Sequence, residues 1–361
     1  MTGVEPDRRS DDRAALDRLA RAMTRAGDRE LQHRLVGSRK HRSSVNLLVD
    51  LIGDDGERRL FIKRLRSHAF TRYQQADVGA DRPRLKPVAD PASRLADEAV
   101  AMQAIHRMVE KADRDDWFAV PVVAVSDCPD LLVLERIDVP TMAEQLDRAA
   151  PDAMMDRAAR SIGAWLHAFH RLTPDFPHAR PLFAHSAELV NLTAAMIDQV
   201  GDRRLERRGD RIMEAVSALP ATLELAPSHG DLNPGNVFVT DGGAIAVFDT
   251  AAEWTMPVHV DLANLTVTLE FAGYKRPLTR TLATAERLAG QVRIGYGPDA
   301  PPRRELLAFE LVVLLDRWCS LGERGGRSSV RSTVAQWFRE QILAAGLSAG
   351  IDRRLDQLGD V

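Results

Sequence analysis

A short hairpin with polar residues at both ends is the feature that most constrains this chain. Two apolar runs flank the turn sequence TDGGA and predict antiparallel strands within residues 236–248, because glycine-rich turns between short apolar runs are typical of β-hairpins. Asp231 lies five residues before Asn236, and Asp249 directly follows the hairpin. The hairpin returns Asp249 to the side of Asn236, so we expect one amide and two carboxylates to cluster at its open end.

This combination of side chains suits phosphoryl transfer. A carboxylate can orient an acceptor hydroxyl and take its proton, and oxygen ligands can hold Mg²⁺, which prefers oxygen and is shared with the phosphates of the substrate. We therefore predict that Asp231 is the catalytic base. Asn236 and Asp249 are the predicted Mg²⁺ ligands, one neutral and one charged.

The rest of the chain divides into a strand-rich first third and a helical remainder. After an amphipathic helix over residues 11–26, period-two patterns predict an antiparallel meander within 31–65. A polar segment without a clear period, 68–91, precedes a helix over 93–111. Further strands are predicted over 119–125 and 131–137, and further helices over 142–149, 153–172, 186–197, 204–219 and much of 261–361. This order predicts an α+β chain with segregated lobes and not an alternating βαβ fold.

Composition narrows the classes of function. The 361-residue chain has a formal net charge of −3, which gives it no overall preference for nucleic acid or anionic membranes. No apolar run reaches the roughly 18 residues of a membrane span, and the charged N-terminal stretch lacks a signal region. Cys128 and Cys319 make neither a disulfide framework nor a zinc site by spacing. We expect a soluble, cytoplasmic protein without nucleic-acid or membrane partners, as a monomer or homodimer.

The segment HGDLNPGN followed by VFDT resembles the catalytic and metal-binding loops of the aminoglycoside phosphotransferase and choline kinase-like family. The resemblance implies the bilobal protein-kinase-like fold, with an antiparallel-sheet N-lobe and a mainly helical C-lobe. It divides the chain into a leading helix (1–28), a nucleotide-binding lobe (29–137) and a catalytic and acceptor-binding lobe (138–361). In this setting His229 is expected to hold the catalytic loop, and Asp261 of HVDLANL is expected to anchor a loop.

The same resemblance implies a lysine on the third strand and a glutamate on the following helix. Lys63 in RRLFIKRL lies at the matching place and would bind the α- and β-phosphates, with Glu98 as its partner. Lysine is rare in this chain, so each lysine is a stronger candidate for a specific role. The five are Lys40, Lys63, Lys86, Lys111 and Lys275.

Two backbone segments of the first lobe are also implied to contact the nucleotide. The strand LLVLERI resembles the one leading into the interlobe hinge, where adenine would bond backbone groups of Glu135, Arg136 and Ile137. The segment from Gly37 onward stands in place of a phosphate-covering loop, although it lacks the GxGxxG pattern. Its candidate phosphate contacts are Ser38, Ser43 and Ser44.

The acceptor is less constrained by the sequence. Family members phosphorylate hydroxyl groups on antibiotics, sugars and amino alcohols, with a pocket built after the metal-binding loop. Glu253, Trp254 and His259 follow that loop and are the candidate lining residues. Residues 251–361 hold 13 acidic and 14 basic side chains, a balance that argues against a polycationic acceptor.

The resulting hypothesis is an ATP- and Mg²⁺-dependent small-molecule kinase that transfers the γ-phosphoryl group directly to a hydroxyl, with GTP as a possible alternative donor. A protein kinase is disfavoured by the His-Gly-Asp form and by the lack of an Ala-Pro-Glu element after Asp249. A non-catalytic nucleotide-binding module is the remaining alternative. The key polar residues are all present, which favours an enzyme.

Overall fold

A computed structural model describes residues 8–23, 31–40, 44–53, 56–65, 83–86, 91–123, 131–176, 178–250, 252–275, 282–321 and 330–360. Contacts between Cα atoms divide the chain into two compact units. Unit 1 comprises Met1–Ala80, Ala89–His106 and Ala119–Asp138, and unit 2 comprises Asp81–Val88, Arg107–Phe118 and Val139–Val361. The sequence places a boundary after residue 137, but it gives no indication that Asp81–Val88 belongs to the second unit.

Unit 1 is built on an antiparallel sheet in the order β1-β2-β3-β4. Its strands are β1 (Gln32–Lys40), β2 (Ser44–Gly53), β3 (Gly56–Leu65) and β4 (Leu131–Glu135). Alternate residues of β2 are buried with those of its neighbours, as a half-buried strand requires. Helix α1 (Arg8–Met23) adds Leu16 and Leu19 to the same core. The predicted meander and its leading helix are confirmed.

The prediction of a regular strand over residues 119–125 is wrong. Only an isolated bridge between Val122 and Leu134 forms, and the Val123 N–H donates to Val133 O at 2.8 Å. Pro121 has no N–H to extend the ladder, so this segment contacts β4 without becoming a full strand. Residues 124 and 125 lie outside the described residues.

Helix α2 (Pro91–Ala112) follows β3 in sequence and matches the predicted helix over 93–111. The helices that begin within unit 2 are α3 (Met142–Asp147), α4 (Asp152–His170), α5 (Ser186–Val200), α6 (Arg203–Glu206), α7 (Gly209–Ser217), α8 (His259–Lys275), α9 (Leu282–Tyr296), α10 (Arg303–Leu321) and α11 (Val330–Gly359). Over the described stretches of the chain, no helix has the length and apolar character that crossing a membrane demands.

The α4–α9 packing depends on two glycines. A Cβ atom at Gly163 would overlap the backbone oxygen of Val292, and one at Gly295 would overlap the backbone oxygen of Arg160. The two helix backbones therefore approach each other at these positions more closely than any residue with a side chain would permit.

A single helix predicted over residues 204–219 is instead two, α6 and α7. The break falls at Arg208, whose guanidinium leaves the local helix surface to donate to Asp352 Oδ2 at 2.6 Å and Ser348 Oγ at 3.0 Å on α11. Gly209 follows directly and has a low helix propensity. The contacts of Arg208 with α11 and the low helix propensity of Gly209 together interrupt the helix that the periodic pattern predicts.

Two small sheets complete unit 2. One has the order β5-β9-β6, from β5 (Arg180–Pro181), β6 (Leu225–Pro227) and β9 (Trp254–Pro257). The other is the predicted hairpin of β7 (Val237–Val239) and β8 (Ile245–Val247). The first sheet escapes prediction because its strands are two to four residues long and pair across large sequence separations.

A buried arginine joins three long helices of unit 2. Arg354 of α11 donates through Nε to Glu310 Oε2 at 2.8 Å on α10, and through an Nη atom to Glu270 Oε2 at 2.6 Å on α8. All three side chains are shielded from water. Pairing and hydrogen bonding are what make such buried charges tolerable.

Candidate active site

Asp231 lies in the loop between β6 and β7, which closes through two asparagine side chains. Asn233 Nδ2 donates to the Asp231 backbone oxygen at 2.8 Å, and Asn233 Oδ1 accepts the Gly235 N–H at 2.8 Å. Asn236 Nδ2 donates to the same Asp231 oxygen at 3.0 Å and lies 3.5 Å from Asp231 Oδ2. The loop therefore holds the exposed Asp231 carboxylate beside the Asn236 amide.

The hairpin places Asp249 next in line, as its sequence predicts. Strands β7 and β8 pair from Val237–Val247 onward, and the Phe248 N–H donates to the Asn236 backbone oxygen at 3.1 Å. Asp249 follows with φ +65°, a left-handed conformation that aspartate tolerates better than most residues. The hairpin thus converts a long sequence gap into adjacency of the two predicted metal ligands.

His229 connects the loop that carries Asp231 to the end of the hairpin. Its Nδ1 accepts the Asp231 N–H at 3.3 Å, and its Nε2 lies 3.1 Å from the Phe248 backbone oxygen. An acceptor at Nδ1 and a donor at Nε2 define one neutral tautomer of the ring. Burial lowers the pKa of His229, which favours that uncharged form.

Asp261, near the start of α8, anchors the residues that precede Asp231. Its Oδ2 accepts the His229 N–H at 2.8 Å, and its Oδ1 accepts the Gly230 N–H and the Ser228 hydroxyl, both at 3.1 Å. Gly230 adopts φ +81°, which a glycine reaches without steric cost. A buried carboxylate thus satisfies donors that would otherwise lack partners inside the protein.

His170 of α4 and Tyr296 of α9 continue this network into the helices. His170 Nε2 of α4 lies 3.4 Å from Asp261 Oδ2, and His170 Nδ1 lies 2.8 Å from the Tyr296 hydroxyl of α9. Burial alone would raise the pKa of Asp261, but the His170 hydrogen bond and nearby positive charge lower it to about 2. The sequence favours a packing or polar-network role for His170, and no local pattern identifies Tyr296.

In unit 1, Lys63 and Glu98 form the ion pair that the sequence implies. Lys63 Nζ of β3 lies 2.7 Å from Glu98 Oε2 of α2, and Glu98 is only 2% exposed. The β3 register fixes where the lysine emerges, opposite Asn46 on β2 and Leu132 on β4. The pair forms although its members are 35 residues apart in sequence.

The three serines predicted to contact phosphate differ in their position and burial. Ser38 is exposed on β1, where it pairs with Leu47 of β2. Ser44 is buried at the start of β2, opposite Leu65. Ser43 lies outside the described residues. Ser38 and Ser44 thus belong to strands, and their phosphate roles stay predictions.

In the segment predicted to bind adenine, from Glu135 to Ile137, two of the three backbone N–H groups already donate hydrogen bonds within unit 1. The Glu135 N–H donates to Pro121 O at 2.9 Å, and the Arg136 N–H donates to Arg59 O at 3.0 Å. The Arg136 guanidinium donates to Asp50 Oδ1 at 3.1 Å. Across the described ranges, no backbone hydrogen bond from the Ile137 N–H is found.

The three predicted acceptor-lining residues occupy contrasting surroundings within unit 2. Trp254 is half-buried on β9, with the Arg180 guanidinium 4.1 Å from its ring centroid, and neighbouring Glu253 is also half-buried. His259 is 4% exposed, stacks on Phe309 at a centroid distance of 4.5 Å and lies 3.0 Å from Glu305 Oε2 through Nε2. These contacts are those of an interior side chain, and the acceptor roles stay predictions.

Similar structures share this architecture at low sequence identity. A putative aminoglycoside phosphotransferase from Ralstonia eutropha is 12% identical, with 95% of this chain and 98% of that one covered and a TM-score of 0.57. An amicoumacin kinase in complex with AMP-PNP, Ca²⁺ and Ami is 13% identical, with 95% and 96% covered and a TM-score of 0.52. A macrolide 2'-phosphotransferase from Brachybacterium faecium is 16% identical, with 93% and 98% covered and a TM-score of 0.50. These likenesses confirm the protein-kinase-like fold.

No curated protein sequence matches the chain. The model of the phosphotransferase enzyme family does match, over residues 46–307, which spans most of the chain. That stretch includes Lys63, Glu98 and the whole Asp231–Asp249 region. The chain therefore belongs to the phosphotransferase enzyme family.

Proposed function

We propose that this protein is an ATP- and Mg²⁺-dependent kinase that transfers the γ-phosphoryl group to a hydroxyl of a small molecule. The observation that carries the proposal is the hydrogen bond from the Phe248 N–H to Asn236 O, at 3.1 Å. It brings Asp249 to the asparagine that also contacts Asp231. A base and two oxygen ligands then share one site, as phosphoryl transfer requires.

The Asp231 carboxylate acts first on the acceptor. It accepts a hydrogen bond from the acceptor hydroxyl, orients the oxygen toward the γ-phosphorus and takes the proton as the new oxygen–phosphorus bond forms. The bond from phosphorus to the β–γ bridging oxygen breaks in the same step, and ADP leaves with that electron pair. Most of the rate enhancement comes from positioning and charge stabilisation, since the protein makes no covalent bond of its own.

The residues at the hairpin fit Mg²⁺ in their chemistry. Asn236 directs its Nδ2 at the Asp231 backbone oxygen, which turns its Oδ1 the other way as a neutral oxygen ligand. Asp249 supplies a charged oxygen. The described parts of the chain hold no group of three or more His, Cys, Asp or Glu side chains suited to a metal. This donor set suits an ion that keeps its substrate phosphates and water, and bound Mg²⁺ would neutralise charge on those phosphates.

Further nucleotide contacts are proposed for residues within unit 1. Lys63 binds the α- and β-phosphates, and Glu98 keeps its ammonium oriented through the 2.7 Å ion pair. The Ile137 N–H is the proposed hydrogen-bond donor to adenine, because those of Glu135 and Arg136 are used by the sheet. The donor is ATP in this proposal, with GTP as the alternative to be compared.

The acceptor is a small molecule with a hydroxyl group. The near balance of 13 acidic and 14 basic side chains in residues 251–361 favours a neutral or weakly charged acceptor over a polycation. Trp254 offers an apolar face for such a molecule on β9, and Glu253 offers a hydrogen-bond acceptor.

An acceptor panel tests the proposal. Purified protein is incubated with Mg·ATP and with antibiotics, sugars and amino alcohols, and ADP release is read together with the mass gain of each acceptor. Asp231→Asn should reduce turnover by several orders of magnitude while Mg·ATP binding persists. Phosphoryl transfer that survives in this variant, or a phosphorylated Asp231 or His229 trapped during turnover, would contradict the mechanism. Nucleotide binding without transfer to any acceptor would favour a binding module.

A further inference from the structure

Residues 83–86 form a described segment whose position is unusual. The chain leaves β3 before this segment and enters α2 after it, and both β3 and the first part of α2 belong to unit 1. The segment itself belongs to unit 2. Leu85 is 3% exposed, and its N–H donates to Asp316 Oδ1 of α10 at 2.8 Å. A specific hydrogen bond and a buried leucine therefore fasten it within the unit that holds Asp231.

The next residue of α10 supports the catalytic loop. Arg317 donates to Asn264 Oδ1 at 2.8 Å, and Asn264 Nδ2 donates to the Leu232 backbone oxygen at 3.0 Å. Leu232 directly follows Asp231. Asp316 and Arg317 are consecutive, so one turn of α10 fixes both the segment and the loop that carries the base.

This arrangement places the half-buried Lys86 among the carboxylates of the site. Asp261, Asp231 and Asp316 attract its ammonium, while Arg317 repels it. Burial lowers the pKa of Lys86, and the carboxylates oppose that change. Within the described residues, no hydrogen bond or ion pair to Lys86 forms. The hydrogen bond that fastens this segment to α10 and the attraction of these carboxylates thus keep the ammonium near Asp231.

We propose that Lys86 is a second lysine of the active site, which binds the phosphoryl group while it is transferred from ATP to the acceptor. This proposal rests on the kinase function proposed above. Negative charge spreads over the three equatorial oxygens of the phosphoryl group in the transition state, and an ammonium beside the base can stabilise it. When Asp231 takes the acceptor proton, it ceases to attract Lys86, so the ammonium pairs more strongly with those oxygens. Lys86 forms no covalent bond in the step.

Steady-state kinetics of matched lysine variants test the role. Lys86→Met should lower kcat on the order of 100-fold with a much smaller change in KM, because the contact of the ammonium with the γ-phosphoryl group strengthens as charge develops in the transition state. Lys86→Arg should recover part of that loss. Lys111→Met, at the exposed end of α2, is the control and should keep the wild-type kcat. Wild-type kcat in Lys86→Met overturns the proposal for Lys86, whereas product formation by Asp231→Asn overturns the kinase mechanism itself.

Amine labelling of the wild-type protein gives an answer that does not depend on turnover or on a variant folding. The chain has only five lysines, so mass mapping resolves each one. Mg·AMP-PNP should slow labelling of Lys86 more than Mg·ADP, which lacks the γ-phosphate, and neither should affect Lys111. Lys63 should be protected by both nucleotides. Equal labelling of Lys86 with the two nucleotides, while Lys63 is protected, would overturn the proposal. No protection at Lys63 would count against the nucleotide site as a whole.

Discussion

The Oδ2 atom of Asp261 accepts the His229 backbone N–H at 2.8 Å, so a helix residue 32 positions later in the chain fixes the start of the loop that carries Asp231. Asp261→Ala leaves the buried His229 N–H without its acceptor, while the Gly230 N–H keeps the Ser228 hydroxyl oxygen at 3.2 Å. An unsatisfied buried group costs about 1–3 kcal/mol, so we expect the free energy of unfolding to fall by about that amount. Urea unfolding measures this loss, and kcat should fall with it. An unchanged urea midpoint would show that the loop does not depend on this carboxylate.

The stabilisation by Asp261 should depend on pH with a defined sign. Its pKa is lowered to about 2 from an ordinary value of 3.8, so the folded state favours the carboxylate. The contribution, about 2 kcal/mol, is complete above pH 3.8 and is lost as the pH falls toward 2. The difference in unfolding free energy between wild type and Asp261→Asn should therefore shrink between pH 5 and pH 3, measured in urea. A constant difference over that range would contradict the lowered pKa.

Loss of the Glu98 carboxylate should impair catalysis through Lys63. Glu98→Gln removes the charge that orients the ammonium, and a misplaced group can cost on the order of 100-fold in rate. We expect kcat/KM for ATP to fall by about that factor. Glu110→Gln changes an exposed carboxylate of the same helix and is the control. Equal kinetics for the two variants would show that the ion pair has only a structural role.

Arg354→Met should strongly destabilise unit 2. The substitution removes the partner that Glu270 and Glu310 share. Arg353 still pairs with Glu270 and Arg303 with Glu310, so we expect a loss of about 3 kcal/mol, the low end for breaking a buried pair. Thermal and urea unfolding measure the loss. The triple variant with Glu270→Gln and Glu310→Gln should regain part of it, since the buried negative charge that Arg354 neutralised is then absent. A triple variant as unstable as Arg354→Met alone would show that packing, and not charge, dominates.

The close approach of α4 and α9 gives opposite expectations for two glycines. Gly163→Ala places a methyl group against the Val292 backbone oxygen, and such overpacking costs about 1–3 kcal/mol. Gly290→Ala, on an exposed face of α9 with open space around it, should stabilise by up to about 1 kcal/mol. Melting temperatures of the two variants should move in opposite directions. A shift of the same sign in both would contradict the crossing geometry.

Local patterns predicted the parts of the fold that local physics determines. The TDGGA turn and its two apolar runs indicated the hairpin, and the hydrogen bond from Phe248 to Asn236 confirms the adjacency expected from it. Alternation likewise indicated the meander of β1 to β3, and with it the strand position of Lys63. These elements need only neighbouring residues to specify them.

The features that were not predicted from the sequence depend on contacts between residues far apart in the chain. Tyr296 meets His170 only because α9 crosses α4, and no periodicity marks that contact. The break at Arg208 follows from its bond to Asp352 on α11, which overrides a helical pattern. The Leu85–Asp316 hydrogen bond spans 231 positions, so Lys86 could be noticed only through the rarity of lysine.

At Asp249, whose backbone is left-handed at φ +65°, stability and the proposed metal binding favour different residues. A residue with a side chain held in that conformation costs on the order of 1 kcal/mol, and glycine would relieve it. A library screened only for resistance to heat would therefore be drawn to Asp249→Gly, and would discard the proposed Mg²⁺ ligand in the process. Directed evolution of this protein therefore has to select for kinase turnover as well as thermal stability, because a variant stabilised by losing Asp249 would also lose the proposed Mg²⁺ ligand.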